Sequence, residues 1–82
     1  SSNPYIVVLT CDGQASEAKA VSFLKSKAER CVTKSKSAQN GFVEVNMEIR
    51  LKNDNTDFIN EIAGIPGVSS AVLVSYNGDY MG

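Results

Sequence analysis

Residues 42–51 read FVEVNMEIRL, and this stretch decides the fold. Val43, Val45, Met47, Ile49 and Leu51 alternate with Glu44, Asn46, Glu48 and Arg50. A period of two over ten residues predicts a strand with one dry face and one wet face. Asn40-Gly41 lies just before it, the pair preferred in a type I′ hairpin turn because both central residues need positive φ. The segment before the turn, Cys31–Ala38, is therefore expected to be the hairpin's other strand. Val32 and Thr33 are good strand formers, while Lys34 and Lys36 alternate with small polar residues, the pattern of a protected edge.

Working outward, Tyr5–Thr10 is apolar and largely β-branched, as expected of a central strand. Asp12-Gly13 turns the chain, and Ser16 is expected to cap a helix running to about Ala28, with Glu17 in its first turn. Ala20, Val21, Leu24 and Ala28 form its inward stripe, with Phe23 at the margin. A short helix is expected from about Thr56 to Ala63, with Phe58, Ile59 and Ile62 inward; Gly64 and Pro66-Gly67 end it. Val68–Tyr76 supplies the last strand. The order βαββαβ predicts an α+β, ferredoxin-like sandwich. Its four-stranded antiparallel sheet takes the order 4-1-3-2, with both helices on one face. All 82 residues are expected to form a single domain, with residues 1–4 a tag or linker remnant.

Net charge is −1, unevenly spread: residues 19–36 hold six basic side chains against Glu29 alone, and the acidic excess lies elsewhere. That balance allows a local basic strip, whereas a nucleic-acid-binding domain is usually basic overall. An RNA-recognition reading of Asn40-Gly41-Phe42-Val43 also fails on charge. Glu44 and Glu48 stand on the face where bases and phosphates would lie. No apolar run approaches the roughly 20 residues that span a bilayer.

The chain has no histidine and two cysteines, Cys11 and Cys31, expected to be free thiols of a reducing compartment. Cys11 sits at the strand-to-helix turn where small copper carriers place two thiolates three residues apart, but the third residue on is Gln14. One thiol makes no Cu(I) site, so no metal or other cofactor is expected. Nothing in the residues pairs a nucleophile with a base or cradles phosphate as a Walker loop does, which points to a non-catalytic domain.

The turn Ile65-Pro66-Gly67-Val68 leading into Ser69–Val74 resembles the second half of ACT-type regulatory domains. More broadly, residues 44–80, EVNMEIRLKNDNTDFINEIAGIPGVSSAVLVSYNGDY, are similar to the C-terminal tail of a family of uncharacterised bacterial multi-pass membrane proteins. A similar ACT-like tail follows the membrane part of MgtC/SapB-type proteins linked to magnesium homeostasis. The resemblance extends over residues 4–80 and implies an ACT-like regulatory or assembly domain. It also implies a position on the cytoplasmic side of the inner membrane, contact with the membrane portion of the same chain, and a homodimer. ACT-type domains that bind amino acids carry an Asp-x-Pro-Gly-like first loop; here Asp12-Gly13-Gln14-Ala15 keeps the aspartate and lacks the Pro-Gly. If a small anionic ligand binds, the expected site is Asp12, Gly13, Gln14, Ala15 and Ser16, with N–H groups of Gln14–Glu17 as donors. The competing class is a free-standing ferredoxin-like protein that binds a small ligand, a metal or nucleic acid.

Overall fold

The computed structural model describes residues 2–75. Its elements follow in the order β1 (Asn3–Cys11), α1 (Gln14–Lys27), β2 (Arg30–Gln39), β3 (Phe42–Leu51), α2 (Phe58–Ala63) and β4 (Val68–Ser75). The four strands form one antiparallel sheet in the order β2-β3-β1-β4, which counted from the β4 edge is 4-1-3-2. This is the α+β arrangement of a ferredoxin-like sandwich.

β3 has the bounds and the two faces read from its alternation. Val43, Val45, Met47, Ile49 and Leu51 are buried, while Glu44 is exposed and Asn46, Glu48 and Arg50 are half-buried. The hairpin turn also follows the sequence, with φ of 51° at Asn40 and 82° at Gly41. β1 alternates in step: Tyr5, Val7, Leu9 and Cys11 are buried and pair with Ile49, Met47, Val45 and Val43. Ala20 and Leu24 of α1 and Phe58 and Ile62 of α2 close the same apolar cluster, so one face of the sheet is covered and the other is open. Val45→Ala, which empties volume in this layer, is expected to cost about 1–3 kcal/mol. Asn46→Ala, on the open face, should cost under about 1 kcal/mol. Urea unfolding of the two variants checks this, and equal costs would contradict the register.

Asn3 and Pro4, within the expected tag or linker remnant 1–4, are strand residues opposite Leu51 and Arg50, and Arg50 donates from Nη1 to the Ser2 carbonyl. Two expectations need correction, both at helix starts. α1 starts at Gln14 with Gly13 in the capping position, so Ser16 lies inside the first turn, buried. It does so because its hydroxyl donates inward, to Asp12 Oδ1 at 2.7 Å and to the Gly13 carbonyl at 3.2 Å. α2 begins at Phe58 rather than Thr56, because Asn53 and Asn55 hold the preceding chain in side-chain-closed turns, accepting from the N–H groups of Asn55 and Asp57. β2 forms where expected, with one irregularity: its register with β3 shifts between Thr33 and Ser35. The end expected of β4, Tyr76, lies outside the described residues.

Candidate functional site

The loop from β1 to α1 is stapled from below. The Asp12 N–H donates to the Gly67 carbonyl at 2.7 Å, and the Asp12 carboxylate receives the Ser16 hydroxyl. Gly67, in the turn between α2 and β4, has φ of 93°. A Cβ there would stand 2.5 Å from Asp12 Oδ1 and 2.6 Å from Ser16 Cβ. The two loops therefore meet backbone to side chain at a point where only glycine fits. Asp12 and Ser16 are spent on this joint, and the Glu17 N–H donates to the Gly13 carbonyl at 3.1 Å, so it is no longer a free donor for an anion. Gly13 is extended, and a Cβ added there would meet nothing within 4 Å.

Of the five loop residues expected to form a site, Gln14 lines a cleft that runs between α1 and β2. The cleft has a volume of about 500 Å³ and is lined by Gln14, Glu17, Val21, Lys25, Thr33 and Lys36, with Val45 among its apolar surfaces. It exists because the helices cover the sheet only as far as β3: β2 is exposed along almost its whole length. Glu17, Val21 and Lys25 recur at i, i+4 and i+8, so one stripe of α1 faces the cleft. That spacing was legible in the sequence; the meeting of this stripe with β2 was not.

The β2 bulge supplies the other wall. In a regular strand Lys34 and Lys36 would share a face. The shift after Thr33 sends them apart: Lys34 pairs with Glu48 at 3.7 Å, while Lys36 crosses to α1 and pairs with Glu17 at 2.8 Å. Lys36 is half exposed, so the pair contributes under about 1 kcal/mol to stability. Its larger effect is positional, since it bridges the cleft and leaves Lys25 as the second cationic group in the lining. A cleft with two ammonium groups, one paired carboxylate and polar Gln14 and Thr33 can hold a small anion with a modest apolar part.

The cysteines lie apart from this chemistry. Cys11 is buried on β1 and Cys31 half-buried on β2, with β3 between their strands, and both are unpaired. Burial pushes the Cys11 thiol up, and the charges of Glu17 and Asp12 push it further, against a lowering contact from Ser16. Burial also raises Cys31, which Lys25 partly offsets. A raised thiol favours the folded state fully below the unfolded value of about 8.5, and that contribution is lost as pH rises through the folded values. Stability should therefore fall above about pH 8.5, and urea unfolding at several pH values should show a shallower fall for Cys11→Ala. In the native protein a thiol reagent should reach Cys31 before Cys11; simultaneous labelling would contradict the burial of Cys11. Among the described residues, no three His, Cys, Asp or Glu side chains are grouped to hold a metal ion.

An antiparallel sheet with two helices on one face and a polar cleft along its lysine-bearing edge defines a small α+β sandwich of the ferredoxin-like class. The chain shares this fold with the C-terminal domain of the MgtC protein from Mycobacterium tuberculosis, known from a solution structure. The TM-score is 0.72 at 12% sequence identity, over 94% of this chain and 90% of that one. No protein-family model matches the sequence, and no curated protein is significantly similar to it. At 12% identity the likeness is one of fold.

Proposed function

We propose that this chain is a non-catalytic regulatory or assembly domain of a bacterial membrane protein. It would lie on the cytoplasmic side of the inner membrane and work as an ACT-like homodimer beside the membrane portion of its own chain. The observation that carries this reading is the fold likeness to the MgtC C-terminal domain over nearly the whole of both chains. A fold alone does not assign an activity. Here the sequence resemblance of residues 44–80 points the same way, and no helix among the described residues is long and apolar enough to cross a membrane by itself. The decisive test is fractionation of the full-length gene product. Recovery in the inner membrane, with this domain open to protease from the cytoplasmic side, supports the reading. Recovery as a free-standing soluble protein overturns it.

A ligand-sensing role is favoured by one specific observation, the cleft between α1 and β2 with Lys25 and Lys36 in its lining. The preferred site thereby moves from the Asp12–Ser16 loop to its neighbour, with Gln14 common to both. A thermal-shift screen of carboxylates and phosphates should find a stabilising anion whose effect is lost in Lys25→Met. An effect that survives Lys25→Met would place the site elsewhere.

A further inference from the structure

The two edges of the sheet are built differently. β2 carries Arg30, Lys34 and Lys36 and is broken by its bulge, devices that stop an edge from pairing with another chain. β4 reads VSSAVLVS, without a charged residue, proline or glycine. It is irregular only at its start, where the register shifts and Ser69 donates to the Thr10 carbonyl; from Ser70 to Ser75 it runs in regular register with β1. On the open face, Val72 and Val74 are 46% and 50% exposed. They stand opposite Val8 and Ile6, which are themselves only half-buried. An apolar strip thus crosses β1 and reaches the edge itself, while Glu44, Asn46, Glu48 and Arg50 keep the β3 side of this face polar.

We infer that two copies of this chain join antiparallel through their β4 edges into one continuous sheet, with Val72 opposite the partner's Val74. This rests on the assembly reading and names its surface. A second copy fits because the edge carries no charge, so it meets itself without repulsion; pairing through β2 would set lysines against lysines. In an antiparallel pair, residues directly opposite must share a face. A two-fold axis at Leu73 meets that condition. It sets Val72 against the partner's Val74 on the open face and Leu73 against the partner's Leu73 on the helix side. An axis at Val72 instead opposes Val74 to the partner's Ser70, losing apolar pairs on the open face. With the axis at Leu73, the strip of Ile6, Val8, Val72 and Val74 runs on into the partner's strip.

Sedimentation of the wild type should show a monomer–dimer equilibrium at micromolar concentration, and hydrogen exchange of the Ser70–Ser75 amides should slow as concentration rises. Val74→Lys, at an exposed site, should weaken association by about tenfold or more without changing the circular dichroism of the monomer. Lys36→Val at the opposite edge should not weaken it. In a Cys31→Ser background, mixed Val72→Cys and Val74→Cys chains should form the heterodimeric disulfide in preference to either homodimer. A dimer that withstands Val74→Lys overturns the β4 interface and leaves the assembly reading standing. A chain that stays monomeric to millimolar concentration overturns the interface and self-assembly together. Protection of β4 amides that does not depend on concentration also overturns the inference, because the edge is then covered within a single chain.

Discussion

Gly67→Ala should destabilise the domain by roughly 2–5 kcal/mol, combining a left-handed backbone with a steric overlap that cannot relax cheaply. The added methyl would meet Asp12 Oδ1 and Ser16 Cβ. Both atoms belong to a joint that fixes the end of β1 and the first turn of α1. Relief therefore means giving up the Asp12–Ser16 hydrogen bond, the Asp12 to Gly67 backbone bond, or both. A domain of this size has a total stability of only about 4–12 kcal/mol, so the variant should be partly unfolded at ambient temperature. Gly41→Ala is the internal control. Its φ of 82° is also left-handed, but no atom lies within 4 Å of the added carbon, so its cost should be about 1 kcal/mol. Urea denaturation of the two variants separates backbone strain from steric overlap; equal losses would mean the overlap at Gly67 is relieved at no cost.

The second large effect is expected at Leu24. α1 is anchored by few fully buried side chains, namely Ser16, Ala20 and Leu24, and Leu24 is the only large apolar one among them. Leu24→Ala should cost about 2–5 kcal/mol, the range for deleting a buried leucine in a core that closes only partly over the gap. The loss should be local as well as global. Amide exchange in the second half of α1 should accelerate more than in β1 or β3, whose ladders are independent of the helix. The cleft should also lose shape, since Glu17, Val21 and Lys25 of its lining ride on this helix, with the Glu17–Lys36 pair as a direct tie to β2. A cost below about 1 kcal/mol would mean that α1 is held by contacts other than its buried face.

The strands and the order of elements were legible in the sequence, and the reason is periodicity. Side chains of a strand alternate between faces whatever the rest of the molecule does. The pattern of Val43, Val45, Met47, Ile49 and Leu51 therefore had to bury one face. Asn40-Gly41 fixed the hairpin locally, because few other pairs accept positive φ at both positions. Through these local rules the sequence by itself determined a four-stranded α+β sandwich, its buried layer, and the separation of its two thiols. What only the tertiary structure decided arises between segments distant along the chain. Gly67 looked like a helix stop, and its close approach to Asp12 and Ser16 exists only once β4 is laid beside β1. The β2 bulge, which sends Lys34 and Lys36 to opposite faces, answers to the packing of β2 on β3 and leaves no mark in the local pattern. The cleft between α1 and β2 has the same origin: its walls are ordinary amphipathic surfaces until folding leaves the edge strand uncovered.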